Sequence, residues 1–129
     1  MKKLGRPILP EGRAVRNVLL RNYRHHAAER GLAWNLSDEQ FDTLLKGDCH
    51  YCGDPPKAHY TMRNCNGAMI YNGIDRVDNR VGYEPNNVVT ACKVCNKCKS
   101  SMGYDAFLAF LIKAGNFQLE KRKNTALIR

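Results

Sequence analysis

Six cysteines offer the first chemistry in this chain. Cys49-His50-Tyr51-Cys52-Gly53 and Cys92-Lys93-Val94-Cys95 each place two sulfurs on one tight turn, with 39 residues between Cys52 and Cys92. Four thiolates suit tetrahedral Zn²⁺ at about 2.3 Å per bond and leave no open coordination position, so the site they form is structural. Gly53 fits such a turn because it tolerates the positive φ that aims backbone amides at sulfur. Cys95 and Cys98 make a further Cys-x-x-Cys pair. Cys92 with Cys95 is the preferred half-site, with Cys98 one helical turn onward. Cys65, His50 and His59 have no evident partner and read as ordinary side chains, the alternative being a second metal held by Cys65, Cys98 and a histidine.

Between the cysteine pairs runs Gly73-Ile74-Asp75-Arg76-Val77-Asp78-Asn79-Arg80-Val81-Gly82-Tyr83-Glu84-Pro85-Asn86-Asn87-Val88-Val89, followed by Thr90-Ala91-Cys92-Lys93-Val94-Cys95-Asn96-Lys97-Cys98-Lys99. This stretch resembles the HNH, or ββα-metal, endonuclease family. Those nucleases carry an Asp-His step on the first strand, a mid-motif Asn and a helical Asn or His, often stapled by two Cys-x-x-Cys pairs. Asp75, Asn87 and Asn96 match, and Lys99 matches a basic residue usual after the helical Asn. Arg76 stands where the general-base histidine belongs, so the ordinary mechanism does not carry over. The spacing is more similar still to a restriction-enzyme variant of the family that has Arg at this place and a Tyr in the histidine's stead. That resemblance implies Tyr83 as base or nucleophile, Arg76 as its electrostatic partner, and Asp75 and Asn96 as ligands of a divalent metal. It covers about residues 49–99. Residues 15–52 look more loosely like the amino-terminal part of phage HNH proteins.

The chemistry is consistent with those roles. Phosphodiester hydrolysis needs an in-line nucleophile, neutralisation of growing phosphate charge and stabilisation of the leaving 3′ oxygen, and one hard cation supplies the last two. Asp75 offers a carboxylate and Asn96 a neutral carbonyl, which with waters and phosphate complete an octahedral Mg²⁺ or Mn²⁺ shell. An unperturbed phenol has a pKa of ~10 and is only ~1% ionised at pH 8, so Tyr83 needs a cation to stabilise its phenolate. Arg76 serves if it lies within about 4–6 Å. The phenolate can attack phosphorus or take a proton from water, and water activation is preferred. Asn87 is assigned to holding the loop between the strands. Taken singly, these residues also read as a salt bridge, a packed ring and a helix cap.

The elements that must position these residues are short. Residues 1–12 lack apolar periodicity and read as a basic extended arm, with Gly5-Arg6-Pro7 similar to a minor-groove-binding tripeptide. Val15, Val18, Leu19, Tyr23 and Ala27 follow one helical face from Arg13 to Arg30, and Gly31 stops that helix. Ser37-Asp38-Glu39-Gln40 is a capping box, opening a second helix with Phe41, Leu44 and Leu45 on its buried face. Strands are expected around Ile74–Val77 and Val88–Ala91. Phe107, Phe110, Leu111 and Ala114 make a last helix ending at Gly115, with residues 116–129 as a basic tail. The predicted fold is α+β, one compact domain: an arm (1–12), a helical region (13–47), a zinc-stapled, treble-clef-like ββα-metal core (48–102) and a flanking helix with tail (103–129).

At 129 residues with 21 Lys and Arg against 12 Asp and Glu, the net charge of +9 favours a polyanion, and double-stranded DNA is the expected partner. Basic excess sits in residues 1–30 (+6) and 61–129 (+6), around an acidic stretch from 31 to 60 (−3). The cations expected along phosphates are Arg6, Arg16, Arg24, Arg80, Lys97 and Lys99. No apolar run approaches the ~20 residues of a membrane span, and Met1-Lys2-Lys3 leads into Gly-Arg-Pro instead of a leader's apolar stretch. A reducing, cytoplasmic setting in a bacterium or phage is therefore expected, and it favours metal ligation over disulfides. A metal-dependent DNA endonuclease leads these readings, against a noncatalytic zinc-dependent DNA-binding module and a structural zinc protein that binds another protein. One site per chain makes a monomer a nicking enzyme, whereas cutting both strands most simply needs a two-fold homodimer.

Overall fold

A computed structural model describes residues 8–125, so Arg6 lies outside the described residues. The first helix, α1, spans Arg13–Glu29 and buries Val15, Leu19, Leu20 and Ala27 along the face set by its apolar spacing. Helix α2, Asp38–Lys46, opens with the reciprocal bonds of a capping box: Gln40 N donates to Ser37 Oγ and Ser37 N donates to Gln40 Oε1. Such a cap contributes about 1 kcal/mol. Phe41 and Leu45 of α2 join Leu19, Leu20, Ala27, Leu36, Ile74 and Tyr83 in the main core. No described helix is long and apolar enough to cross a membrane.

Two antiparallel hairpins follow. In the first, β1 (Ala58–Thr61) pairs with β2 (Ala68–Tyr71). This hairpin is absent from the sequence reading because each strand has only four residues, so the alternation of Ala58 and Tyr60 with the exposed His59 and Thr61 is too short to stand out. Its connecting loop also captures residues read as a free arm: Gly12 N donates to Asn66 O at 2.9 Å and Asn66 Nδ2 to Leu9 O at 3.2 Å. Residues 9–12 are thus tied to the hairpin and are not extended free of it.

In the second hairpin, β3 (Gly73–Arg76) pairs with β4 (Val88–Ala91), and the chain turns at once into α3 (Lys93–Lys99). This is the expected ββα unit, and the fold is α+β with helices flanking small sheets. Asn87 closes the loop between the strands. Its Oδ1 accepts from Asp78 N, and its Nδ2 donates to the carbonyls of Asp78, Val81 and Gly82. Gly82 permits a close approach that a side chain would block, since a Cβ there would meet Ala33 O at 2.6 Å. The segment after it can therefore pair with the chain leaving α1, through a parallel bridge between Trp34 and Tyr83.

Helix α4 spans Tyr104–Asn124, nine residues beyond the expected stop at Gly115. A helical glycine costs only ~1 kcal/mol, and the helix formers Lys113, Ala114, Gln118, Leu119, Glu120 and Lys121 around it carry the helix through. Phe107 is the buried residue of α4 and packs edge-on against Tyr51.

Candidate metal centre and surrounding site

The four cysteine sulfurs of the two pairs lie within 4.8 Å of one another. A tetrahedron with bonds of 2.3 Å has edges of about 3.8 Å, and the Cys52 and Cys92 sulfurs are 3.7 Å apart. The arrangement is positioned to hold a metal such as zinc. Two turns build it. In the first, Gly53 adopts φ 79° and donates its N–H to Cys49 O. In the second, Cys92 caps α3, its sulfur accepting from Cys95 N at 3.3 Å. Burial opposes ionisation of Cys49, but the amides of Cys92, Cys52 and Tyr51 more than offset it and bring the thiol down to about 7. Burial and the neighbouring sulfurs push Cys95 up. Four thiolates at this spacing therefore need a cation among them. Among the described residues, neither Cys65 nor Cys98 joins a metal-ligating group.

Tyr51 connects the cysteine turn to Asp75. Its hydroxyl donates to Asp75 Oδ2 at 2.6 Å, and burial together with that bond pushes the phenol far up, so it remains a donor. Asp75 is 6% exposed. It also faces Lys99, whose Nζ lies 3.3 Å from Oδ1 and 3.2 Å from Oδ2 and donates to Arg76 O as well. Asn96 leans on the same strand, its Nδ2 donating to Ile74 O at 3.4 Å.

Arg76 projects to the other face of β3, as strand alternation requires. Its Nη1 donates to Asn79 O at 2.5 Å and Val81 O at 2.9 Å, and its guanidinium carbon stands 5.7 Å from the centre of the Tyr83 ring. Tyr83 is 8% exposed, packed against Trp34 at 4.9 Å and edge-on to Tyr23 at 6.3 Å. Its backbone is fixed by Tyr83 N donating to Ala33 O and Asn35 N donating to Tyr83 O. The structure thus joins Arg76 to Tyr83 and Asp75 to Lys99 and Tyr51, the two groups lying across one hairpin. The Arg76 cation reaches the ring face of Tyr83, which is a cation–π geometry.

Two expected phosphate contacts are corrected. Lys99 is 1% exposed, committed to Asp75 and unavailable to a surface ligand. Arg16 is 5% exposed, with Nε 2.7 Å from Asp42 Oδ1 and Nη2 3.1 Å from Oδ2, a bidentate pair that holds α1 on α2. Arg24 and Lys97 are exposed; Arg80 is exposed too, paired with Asp78. Sequence reasoning missed Tyr23, whose hydroxyl accepts from Ile74 N at 3.3 Å beside Asn96, and Tyr51. Both signals were visible only as aromatic residues near a helix face and a cysteine turn.

A hard divalent cation fits the donor types at Asp75 and Asn96, a carboxylate and an amide carbonyl. The Lys99 ammonium already stands as a cation on Asp75, so a divalent ion there competes with it for the same oxygens.

No protein-family model matches the chain. The chain is 33% identical over 95 residues, 74% of its length, to an uncharacterized protein, R423, of Acanthamoeba polyphaga mimivirus, and the match spans only 16% of that protein. Among solved structures, the rare-cutting HNH restriction endonuclease PacI, described for how it perturbs DNA, is similar with a TM-score of 0.55. That likeness covers 84% of this chain and 81% of PacI at 24% identity. At such identity the likeness is one of fold.

Proposed function

We propose that the protein is a metal-dependent DNA endonuclease that hydrolyses phosphodiester bonds. The observation that carries this reading is the Arg76 guanidinium 5.7 Å from the Tyr83 ring, inside a fold shared with an HNH restriction endonuclease. Arg76 is held by two carbonyls and brings a permanent charge to the phenol that replaces the family's histidine. Tyr83, as phenolate, takes a proton from water; the resulting hydroxide attacks phosphorus, the bond to the 3′ oxygen breaks, and that oxygen leaves with the electron pair and is protonated by solvent. Asp75 and Asn96 would hold Mg²⁺ or Mn²⁺, which when bound would supply neutralisation of the phosphate and of the leaving oxygen. Zn²⁺ on Cys49, Cys52, Cys92 and Cys95 is structural. Arg24, Arg80 and Lys97 contact phosphates, and cutting both strands of a duplex at one site takes a two-fold pair of chains.

A second reading, a noncatalytic zinc-dependent DNA-binding module, is favoured by the buried ion pair of Asp75 with Lys99, which neutralises the carboxylate without a metal. Supercoiled plasmid incubated with the protein in Mg²⁺, with an EDTA control and with Tyr83→Phe alongside, decides between them. EDTA-sensitive cleavage that Tyr83→Phe abolishes, at unchanged zinc content and DNA affinity, is expected. The variant is a clean probe because the Tyr83 hydroxyl makes no hydrogen bond among the described residues. Cleavage at the wild-type rate by Tyr83→Phe removes Tyr83 from the mechanism, and DNA binding with no cleavage in Mg²⁺ or Mn²⁺ selects the second reading.

A further inference from the structure

Between the β1–β2 hairpin and α3 opens a cleft of about 650 Å³. The hairpin side contributes His59, Tyr60 and Tyr71, with the two tyrosine rings edge to face at 6.5 Å. The α3 side contributes Lys93, Asn96 and Lys97. Both lysines are exposed, neither is ion-paired among the described residues, and no carboxylate lines the cleft. Lysines four apart on a helix share one face, so both charges aim at the same side. The floor of the cleft includes Gly73, where Asn96 meets β3.

We propose that this cleft takes a short run of single-stranded nucleic acid, with phosphates against Lys93 and Lys97 and unstacked bases against Tyr60 and Tyr71, which share one face of the hairpin, leading the strand to Asn96. Cations facing aromatic rings across a groove make the combination that binds unpaired strands, the cations tracking the backbone and the rings stacking on any base. The size sets the occupant. A volume in the range of a small-molecule site admits one or two nucleotides and excludes a duplex. The proposal rests on the reading that the chain acts on DNA, and it adds that the strand enters unpaired at this place.

The test is binding of a labelled oligothymidine and of a duplex of equal length, measured by fluorescence anisotropy in Mg²⁺-free buffer over a range of salt. The wild type is compared with Lys93→Gln/Lys97→Gln and with Tyr60→Ala, each checked for zinc content and melting temperature. Loss of two phosphate contacts lowers the slope of log affinity against log salt by about 1.4 for the single strand. Tyr60→Ala weakens the single strand by about tenfold. Both changes are expected to exceed those for the duplex. Unchanged single-strand affinity and salt slope in the lysine variant, or equal losses for strand and duplex, overturn the proposal. Because binding is read without cleavage, a strand-binding cleft in a protein that never cuts DNA refutes the endonuclease reading alone. Cleavage that all these substitutions leave untouched, with single-strand binding also unchanged, refutes the cleft alone.

Discussion

Lys99 Nζ lies 3.2 Å from Asp75 Oδ2, and the two side chains are 0% and 7% exposed. Removing one partner of a buried pair leaves an uncompensated charge and costs about 3–5 kcal/mol. Lys99→Met is therefore expected to lower stability by that order in urea denaturation, although the replacement keeps most of the volume. The same substitution frees Asp75 for another cation. Mg²⁺ is expected to raise the melting temperature of Lys99→Met more than that of the wild type, and an equal response in both separates Asp75 from the divalent site.

The four-cysteine cluster makes a second expectation, about which sulfurs bind. Cys98→Ser is expected to retain one zinc per chain and the wild-type melting temperature, whereas Cys95→Ser loses the metal and unfolds the ββα unit. Metal analysis of the two purified variants checks this directly. Because the ligands must be thiolates, zinc affinity falls as pH is lowered, and a chelator unfolds the protein at lower concentration in mildly acidic buffer. Cys98→Ser losing its zinc while Cys95→Ser keeps it reverses the assignment of the second half-site.

Spacing made some of this legible and withheld the rest. The cysteine pairs, the Ser37–Gln40 cap and the two strands of the ββα unit are local patterns, fixed by residues within a few positions of each other. The roles of Arg16 and Lys99 are not local. Their partners, Asp42 and Asp75, lie 26 and 24 residues away, so a basic residue on a helix read as a phosphate contact when packing had turned it inward. The β1–β2 hairpin has strands of only four residues, too short for their alternation to stand out, and the parts of the chain that meet it, residues 9–12, α1 and α2, lie far from it in sequence. Gly115 failed as a helix stop because its neighbours outweigh a single glycine. Tyr83 shows the limit at the site itself: the family resemblance pairs it with Arg76, and only packing reveals that the cation meets the ring face and that Trp34 and Tyr23 pack against the ring as well.

Tyr23 gives a pH-dependent expectation. Its ring packs edge-on against Phe41 and Tyr83, and burial pushes its phenol up to about 12, with the Ile74 amide pulling slightly the other way. An unfolded tyrosine ionises near ~10. Between these values the unfolded chain has released the proton that the folded chain still holds, so stability falls as pH rises through 10 to 12 and the contribution is fully present below 10. Two pH units correspond to about 3 kcal/mol at the upper end of the window. Tyr51 and Tyr71, also raised, add to the total slope, so the measurement is a difference. Tyr23→Phe should cost about 1 kcal/mol at neutral pH, the bond from Ile74 N, and then lose less stability than the wild type between pH 10 and 12. Urea denaturation followed by tryptophan fluorescence at a series of pH values reads both effects, since Trp34 stands 6.3 Å from the Tyr23 ring. Parallel pH profiles for the two proteins would mean that the Tyr23 hydroxyl ionises as readily in the fold as in water.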